Sequence, residues 1–465
     1  MDSFIKASED NLYIDVDTGT PDVDRVSFGE FSKMLETRQA SVVVVGLGCS
    51  GLQLALAFAS AGFSVTGIEF DKEKTKKLNA GKSSIETIDS KEVKRLVDSD
   101  KFFVVNDLKL VSEADVVIVS DQIPTEHPKN KDVSFMMAVF ENIISSMKKT
   151  QLIVLDSVLA PGSCRKVIYP LFEDQNLKIN KDYFLALSPE RVSKGHKNIS
   201  FSMIPRVVSG MTEESRDLVS LLFKQIVSQV VELSSVMVGE MVKFLENSYR
   251  WVNYALVNEM MIICNMLGIS VWEVIRGVRS NPLEYFRFLP GPGCGSSSQY
   301  NEEQFELVWK KSFSELNYDL LDSSIKINTY VATRYIVERI IDLLNAKKKC
   351  LNGANILVVG VANRRDIGEW NESPAVEIIK MLADKKANIY YHDPLVAQLK
   401  TEDKEVSLSS VSLSDDMLKW VDLAVILTDH TDVDYKKIIK TAPLVFDTRN
   451  VTEKIKGKKN NVILA

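Results

Sequence analysis

Three glycines at a fixed spacing are the first residues with readable chemistry. Residues 46–51 read Gly-Leu-Gly-Cys-Ser-Gly, between an apolar run at 42–45 and a stretch with helical spacing at 52–61. In such a strand–turn–helix, the first glycine makes the tight turn, the second lets a diphosphate approach the backbone, and the third lets helix and strand pack closely. The helix N-terminus supplies N–H groups and a positive dipole end to phosphate. The spacing therefore predicts a dinucleotide site.

An acidic residue further along indicates which dinucleotide would bind. A second apolar strand pattern ends at Glu69, which lies 18 residues after Gly51. An acid at this place hydrogen-bonds a ribose diol and repels a 2′-phosphate, so we predict NAD rather than NADP as the cofactor. The alternative is a glycine turn in an unrelated α/β fold. The candidate cofactor-binding residues are Gly46, Gly48, Cys49, Ser50, Gly51, Glu69, Asp71 and Ser157.

A lysine and an amide form the second group with possible chemistry. Lys243 and Asn247 are four residues apart in a stretch with helical spacing, so both point from one helix face. They could hydrogen-bond a hydroxyl and stabilise an alkoxide, and a lysine with a lowered pKa could act as a base. Glu190, after a Ser-Pro pair, could take a proton or orient a water molecule. The alternatives are a solvated helix face for the pair and a surface carboxylate for Glu190.

Alternating strand and helix patterns must position these groups. We expect a polar extension at 1–39 with a short helix near 28–36, an NAD-binding Rossmann domain at 40–229, a helical region at 230–350 and a second α/β domain at 351–465. Short apolar strands alternating with helices are typical of parallel, doubly wound sheets. The fold class predicted is α/β, with two Rossmann-like domains joined by a long central helical region. Apolar residues around much of the 240–267 helix predict burial on more than one side, as in a homodimer.

Composition excludes several classes of protein. The chain has 465 residues, of which 26% are charged, and its net charge of −6 lacks the basic character of a nucleic-acid binder. No apolar run reaches the roughly 18 residues that span a bilayer, and the acidic N-terminus lacks a signal-peptide core. We therefore expect a cytoplasmic protein with neither nucleic acid nor membrane as a partner. The five cysteines and four histidines are dispersed, which predicts neither a disulfide framework nor a metal site.

Six further stretches follow one another in a recognisable order. They are Asp-Ser-Val-Leu-Ala-Pro-Gly-Ser at 156–163, Ser-Pro-Glu-Arg at 188–191, Lys-Phe-Leu-Glu-Asn at 243–247 with Arg250, Asn253, Asn258 and Glu259, Pro-Gly-Pro-Gly at 290–293, Glu-Ser-Pro at 372–374, and Asp-Thr-Arg-Asn at 447–450. From about residue 42 to the end, the chain resembles the UDP-glucose/GDP-mannose dehydrogenase family and, more loosely, its UDP-N-acetylhexosamine branch. This resemblance implies an N-terminal NAD domain, a long dimerising helix and a C-terminal UDP-sugar domain. It also implies oxidation of the sugar C6 alcohol to an acid in two NAD-dependent steps.

The resemblance implies roles for individual residues. The catalytic candidates are Lys243, Asn247, Glu190, Ser298 and Glu302, the last two at the positions of the family's nucleophilic cysteine and of the aspartate after it. The substrate-binding candidates are Arg191, Lys243, Asn247, Arg250, Gly293, Gly295, Arg364 and Arg449. We expect Arg449 to meet a phosphate or ribose, and the alternative is a surface salt bridge of little energetic weight.

The chain departs from the family pattern at the nucleophile. The second oxidation needs a thiolate to attack the aldehyde, and a serine hydroxyl such as that of Ser298 is a much poorer nucleophile. Cys294 could replace the thiol, although a packing role is the simpler interpretation. The first oxidation needs only NAD, a placed sugar and a base such as Lys243. The sequence therefore predicts oxidation of a nucleotide-linked hexose that stops at a two-electron carbonyl product.

Two other interpretations remain at this stage. A catalytically silent relative would bind a nucleotide-sugar or NAD and serve regulation or scaffolding, which the rebuilt segment 296–303 favours. A different Rossmann dehydrogenase, of the 3-hydroxyacid or 6-phosphogluconate type, would also pair an NAD domain with helices. The second α/β domain argues against this last class, whose C-terminal regions are all helical.

Overall fold

A computed structural model describes most of the chain, in ranges separated by short gaps. The described residues are 25–83, 85, 88–120, 133–148, 150–157, 161–191, 200–282, 288–292, 319–371, 373–401, 406–457 and 459–465. They form two compact units, the first ending at Glu246 and the second beginning at Asn247. No helix of the described ranges is long and apolar enough to cross a membrane.

The first unit alternates strands and helices from its first described residue. Its elements are α1 (Arg25–Glu36), β1 (Ser41–Val45), α2 (Cys49–Ala61), β2 (Ser64–Ile68), α3 (Lys72–Asn79), α4 (Ser90–Asp98), β3 (Phe102–Val105), β4 (Val116–Val119), α5 (Val133–Ser146), β5 (Gln151–Leu155), α6 (Tyr169–Glu173), β6 (Tyr183–Leu187), β7 (Arg206–Gly210), α7 (Glu213–Lys224), β8 (Val230–Glu232) and the start of α8 (Val236–Met266). Helix α8 continues into the second unit.

The strands of the first unit form one sheet in the order β3-β2-β1-β4-β5-β6-β7-β8. All neighbours are parallel except the β6–β7 pair. The strand order reverses between β1 and β4, and ligands of doubly wound sheets bind outside the carboxyl ends of the strands at such a point. The glycine turn therefore lies at the expected binding edge.

Helix α1 shows what part of the N-terminal extension does. Phe31 and Leu35 are buried in the core of the first unit, and the ring of Phe31 stacks on that of Phe184 in β6, 6.2 Å between centroids. The short helix expected near residues 28–36 is therefore present and covers one face of the sheet.

The second unit contains the rest of α8 and a smaller sheet. Its further elements are α9 (Val271–Arg279), α10 (Asp319–Lys326), α11 (Ala332–Ala346), β9 (Asn355–Val359), α12 (Pro374–Asp384), β10 (Asn388–His392), β11 (Gln398–Lys400), β12 (Ser407–Ser409), α13 (Asp415–Trp420), β13 (Leu423–Ile426), α14 (Tyr435–Thr441), β14 (Val445–Asp447) and β15 (Val462–Leu464). The sheet is parallel, in the order β10-β9-β13-β14-β15, and β11 pairs with β12 in a separate hairpin. Its strand order reverses between β9 and β13, which defines a second binding edge.

The predicted fold class is confirmed, with differences in the details. The long helix begins at Val236, and Gly239 lies inside it, although the sequence suggested that this glycine preceded the helix. A Cβ at Gly239 would lie 2.6 Å from Ser209 Oγ and 3.0 Å from a methyl carbon of Leu187. The glycine is thus explained by the close approach of α8 to β6 and β7. The domain limits inferred from the sequence stay a prediction.

A buried aspartate organises the loop that follows β9. The Oδ2 atom of Asp393 accepts the backbone N–H groups of Val361 and Ala362 at 2.8 and 3.1 Å, and it lies 3.0 Å from His430 Nε2. Its Oδ1 atom accepts the N–H groups of Leu395 and Val396. Although burial opposes ionisation, these hydrogen bonds and His430 hold the pKa of Asp393 below its ordinary value.

We predict that Asp393→Asn destabilises the protein by about 3 kcal/mol at neutral pH, because an amide N–H₂ cannot accept the N–H groups that one carboxylate oxygen now accepts. A carboxylate with a lowered folded pKa stabilises the fold above its unfolded pKa, near 3.8, and loses this contribution as the pH falls through the folded value. The measurement is unfolding of both proteins by urea between pH 7 and pH 3. The difference in free energy of unfolding between the two proteins should reach its full value at pH 7 and shrink below about pH 4.

The matched control is Asp384→Asn, because Asp384 is exposed at the end of α12. We expect this variant to unfold like the parent protein. Equal stability of Asp393→Asn and the parent at pH 7 would contradict the anchoring role of Asp393.

Candidate active site

The glycine turn has the geometry that a dinucleotide diphosphate requires. Gly46 has a φ of 87°, and a Cβ at Gly51 would lie 1.9 Å from the carbonyl oxygen of Gly46. Helix α2 begins at Cys49, and Gly48 at its N-cap gives no side-chain hydrogen bond to the first turn. N–H groups at such a helix start suit a phosphate. These residues therefore fit NAD, which accepts a hydride when bound to a dehydrogenase.

Glu69 lies at the carboxyl end of β2, as the sequence predicted, and it is almost fully buried. Its Oε2 atom lies 2.6 Å from Lys74 Nζ, and its Oε1 atom accepts the backbone N–H of Asp71 at 3.2 Å. Lys74 was missed by the sequence analysis, because a lysine in the first turns of an exposed helix has no distinguishing signal. The pair places a cation beside the acid assigned to the ribose.

Asp71 and Ser157 have structural contacts of their own. The Oδ1 atom of Asp71 caps α3 by accepting the N–H groups of Glu73 and Lys74, at 2.8 and 3.1 Å, and these bonds lower the pKa of the carboxyl. The hydroxyl of Ser157 donates to the carbonyl of Val119 at the end of β4, at 3.3 Å. Both residues lie at the binding edge of the first sheet, and their contact with cofactor stays a prediction.

Two of the catalytic candidates meet in the first unit. Lys243, on α8, donates from Nζ to the backbone carbonyl of Glu190 at 2.5 Å, and both residues are more than nine-tenths buried. The interpretation of Lys243 as part of a solvated helix face is therefore wrong. Glu190 likewise is no surface carboxylate. The contact fixes the Lys243 amino group at the end of the Ser-Pro-Glu-Arg segment, beyond the carboxyl end of β6.

Glu240 was missed by the sequence analysis and lies one helical turn before Lys243. Its carboxylate accepts the N–H groups of Gly162 and Cys164 at 2.6 and 2.9 Å. Burial raises the pKa of Glu240 to about 7, against the effect of these two hydrogen bonds. Glu240 therefore anchors the Pro-Gly-Ser turn to α8.

Arg191 and Glu246 tie the same segment to α8 a second time. The guanidinium of Arg191 donates from Nε and Nη2 to Glu246 Oε1, at 2.9 and 2.5 Å, and from Nη1 to the carbonyl of Pro205. The single oxygen Oε1 thus accepts two charge-assisted hydrogen bonds, which fix the direction of the guanidinium. Arg191 is thus engaged within the first unit, and its contact with substrate stays a prediction.

Asn247 and Arg250 belong to the second unit. Arg250 donates to Asn247 Oδ1, and the buried Nδ2 group of Asn247 has no hydrogen-bond partner among the described residues. A buried N–H donor without a partner is costly, so such groups are often reserved for a ligand. The amide of Asn247 is available to donate to a substrate oxygen.

The Pro-Gly-Pro segment is held within the second unit from two sides. Gly291 donates its N–H to Asn258 Oδ1 at 3.0 Å, and Asn258 donates to Asn328 in turn. Gly291 has a φ of 120°, and a Cβ there would lie 2.7 Å from the carbonyl of Thr448. Arg449 donates to the carbonyls of Pro290 and Pro292, both at 3.4 Å. Arg449 thus connects this segment to the loop after β14.

Charged residues cluster at the binding edge of the smaller sheet. Asp429, after β13, lies 3.3 Å from Arg449 Nε and 3.6 Å from a guanidinium nitrogen of Arg365. Arg364 follows β9 and is partly buried. A surface salt bridge does not fully describe Arg449, because its side chain also holds the Pro-Gly-Pro segment. Arg365 was missed, since one of two adjacent arginines in a loop carries no special spacing.

Four predicted site residues lie outside the described residues. They are Gly293, Gly295, Ser298 and Glu302. Their assignment stays a prediction. Among the described residues, no group of three or more histidine, cysteine, aspartate or glutamate side chains is arranged to hold a metal ion.

Three domain models of one family match this chain. They are described as the NAD binding, central and UDP binding domains of the UDP-glucose/GDP-mannose dehydrogenase family, and they match residues 40–227, 237–330 and 357–454. The glycine turn and the two doubly wound sheets fit a dinucleotide-dependent enzyme, and the three matches make it an NAD-dependent oxidoreductase of nucleotide-sugars. The chain belongs to the UDP-glucose/GDP-mannose dehydrogenase family. This membership excludes the hydroxyacid and phosphogluconate classes considered above.

Several relatives extend over nearly the whole chain. A UDP-N-acetyl-D-mannosamine dehydrogenase of Methanococcus maripaludis is 27% identical, over 90% of this chain and 94% of its own. The UDP-N-acetyl-mannosamine dehydrogenase structure from Staphylococcus aureus is 26% identical with a TM-score of 0.75, over 91% of this chain and 97% of its own. A UDP-D-ManNAc dehydrogenase structure from Pyrococcus horikoshii, 24% identical, has a TM-score of 0.79 over 91% of this chain and 98% of its own. The last likeness concerns the fold alone.

We predict that Glu69→Gln lowers the preference for NADH over NADPH by about tenfold or more, which corresponds to roughly 1.4 kcal/mol. The amide no longer repels a 2′-phosphate, and Lys74 loses its ion pair and becomes available to that phosphate. The measurement is the Kd of each reduced cofactor, followed by its fluorescence.

The control for this substitution is Glu73→Gln, which removes an exposed carboxylate next to Lys74 in α3. This variant should keep the parent preference. An unchanged ratio of Kd values in Glu69→Gln would mean that Glu69 does not face the ribose.

Proposed function

We propose that the chain removes one hydride from a nucleotide-linked hexose, passes it to NAD and releases a carbonyl product. The observation that carries this proposal is the buried contact between Lys243 and the carbonyl of Glu190. A buried lysine has a high desolvation cost, which a purely structural helix face would avoid. Family membership supplies the reaction type.

The retained groups suit the first oxidation. Lys243, as the neutral amine, takes the hydroxyl proton as the hydride leaves the same carbon for NAD, and the Nδ2 group of Asn247 donates to the substrate oxygen as it becomes negative. Helical spacing supports this pairing, because residues four apart lie on one face of α8.

The second oxidation lacks its usual nucleophile. Ser298 stands at the position of the family's cysteine, and a hydroxyl forms a reactive anion far less readily than a thiol at neutral pH. The aldehyde is therefore released before it forms a covalent adduct. Release of the aldehyde is the more specific part of the proposal.

The nucleotide-sugar is a UDP-linked N-acetylhexosamine in this proposal. Relatives described as UDP-N-acetyl-D-mannosamine and UDP-N-acetyl-D-glucosamine dehydrogenases are 27% identical to this chain. Asp429, Arg364, Arg365 and Arg449 at the edge of the smaller sheet offer donors and acceptors for the nucleotide.

A second candidate function is ligand binding without turnover. The replaced residues at 296–303 favour this candidate, since the rebuilt segment contains both Ser298 and Glu302. Such a protein would bind NAD and UDP-sugar and act on a partner. The two candidates differ in whether any NADH is formed.

We predict one NADH and one carbonyl per sugar for the parent protein, and two NADH with a carboxylate product for Ser298→Cys. The thiol provides the nucleophile for the thiohemiacetal that loses the second hydride. The measurement combines NADH absorbance with product mass, over UDP-N-acetylhexosamines and UDP-hexoses.

Ser297→Cys is the matched control, because it adds a thiol one residue away and should leave one NADH per sugar. Lys243→Met should abolish NADH formation in both backgrounds. Two NADH from the parent protein would show that another group replaces the cysteine. Saturable binding of both ligands without NADH would favour the second candidate.

We also propose that the chain forms a homodimer through α8. Tyr249, Leu256 and Ile263 are spaced by seven residues along one face of this helix, and between 44% and 57% of each is exposed. Large apolar side chains in such a row are typical of an interface between subunits. A second copy of this chain covers the row in this proposal.

We predict that Leu256→Glu converts the dimer to a monomer, because the dimer would bury one carboxylate from each copy. Sedimentation velocity measures the result. Lys385→Glu, which changes an exposed residue after α12, should leave the oligomeric state unchanged. A parent protein that sediments as a monomer would contradict the proposed dimer.

A further inference from the structure

A fully buried carboxylate lies beneath the glycine turn. Asp156 follows β5, and its Oδ2 atom accepts hydrogen bonds from Ser50 Oγ at 3.1 Å and Ser120 Oγ at 3.0 Å. Its Oδ1 atom accepts one from Arg206 Nη1 at 2.8 Å. All four residues are buried.

These four residues come from four separate parts of the first sheet. Ser50 is in the first turn of α2, within the Gly-Leu-Gly-Cys-Ser-Gly segment, and Ser120 directly follows β4. Arg206 is the first residue of β7. The strand order reverses between β1 and β4, so Asp156 connects the two sides of the cofactor edge through its Oδ2 atom.

Stability alone does not account for the pair of Asp156 and Arg206. Burial raises the pKa of the Asp156 carboxyl, and the guanidinium of Arg206 opposes this effect. Removing two charges from water is costly, and packed apolar side chains often replace a buried ion pair without loss of stability. The guanidinium also lies over the rings of Phe201 and Phe223, whose centroids are 5.2 and 5.3 Å from its central carbon.

The pair does satisfy an electrostatic requirement of the turn. A carboxylate oxygen accepts the Ser50 and Ser120 hydroxyls more strongly than a neutral carbonyl would, but a lone carboxylate would repel the diphosphate of a dinucleotide. Arg206 cancels that charge from the far side of Asp156. The turn is thus fixed by a strong acceptor without a net negative charge beneath the phosphates.

We propose that Asp156 is a positioning residue for NAD, acting through Ser50 to hold the first turn of α2 where its backbone N–H groups meet the diphosphate. Hydrogen bonds from a backbone turn to a phosphate depend on placement within about 0.5 Å, so loss of the tether weakens binding without removing any contact to NAD. The positive charge of Arg206 offsets the negative charge of Asp156, which would otherwise repel the diphosphate. The proposal concerns cofactor binding and holds whichever sugar is oxidised.

The first test compares two buried serines. Ser50→Ala removes the tether, and Ser215→Ala removes a fully buried hydroxyl that accepts the N–H of Leu185 in β6, away from the turn. We expect Ser50→Ala to raise the Kd for NADH about tenfold, as for loss of a hydrogen bond to a charged group. Ser215→Ala should lower the Tm about as much as Ser50→Ala does, but it should leave the Kd for NADH within twofold of that of the parent. Equal Kd values in the two variants would overturn the proposal.

The second test asks whether Ser50 acts through Asp156 or directly on the cofactor. The double variant Asp156→Leu with Arg206→Met removes both charges together, so no unpaired buried charge is left. We expect a Kd for NADH raised at least as much as in Ser50→Ala, and no further rise when Ser50→Ala is added, because the acceptor of the hydroxyl is already gone. A further tenfold rise in the triple variant would show a direct contact of Ser50 with NAD and would overturn the role of Asp156.

Discussion

The close packing of α8 against β6 and β7 is the constraint on which the catalytic groups of the first unit depend. A Cβ at position 239 would lie 2.6 Å from Ser209 Oγ and 3.0 Å from a methyl carbon of Leu187, so glycine lets α8 approach these strands without displacing either side chain. Glu240 follows directly and Lys243 lies one turn later, so the contact at Gly239 sets how far each side chain reaches. Glu240 then holds the Pro-Gly-Ser turn, and Lys243 reaches the carbonyl of Glu190. A shift of the helix would move the Lys243 amino group, the Pro-Gly-Ser turn and the Ser-Pro-Glu-Arg segment together.

Buried acids serve a common structural purpose in the two units. The carboxyl ends of parallel strands gather loops whose N–H groups have no partner in the sheet, and one carboxylate can accept several such donors. Asp393 accepts four backbone N–H groups, and Glu240 accepts two. Asp156 does the same with hydroxyls and an arginine. In both units, buried carboxyl groups thus accept the hydrogen bonds that hold the loops at the binding edge.

The sequence predicted the local features well because they depend on short-range spacing. The glycine turn, Glu69 at the end of β2 and the long helix all follow from periodicity and from the steric needs of one turn. Strands β7, β8, β11, β12 and β15 were missed. All of these except β7 have three residues, which are too few to show alternation. The sequence analysis also missed the roles of Lys74, Asp156 and Arg206, for another reason. Their partners depend on tertiary packing, and Asp156 and Arg206 are 50 residues apart in the chain.

The family's reaction has two oxidation steps, and the described residues relate to each step in a different way. The groups that a first hydride transfer needs are buried and held: Lys243 by a carbonyl, and the glycine turn by the steric fit at Gly51. The family's second hydride transfer needs a thiolate. Ser298 has a hydroxyl in place of the thiol, and a hydroxyl loses its proton far less readily. A chain that had lost all catalysis would gain stability by replacing a buried lysine with an apolar residue. The buried Lys243, in a chain that has serine at the position of the family's nucleophilic cysteine, is consistent with the proposed shortened reaction.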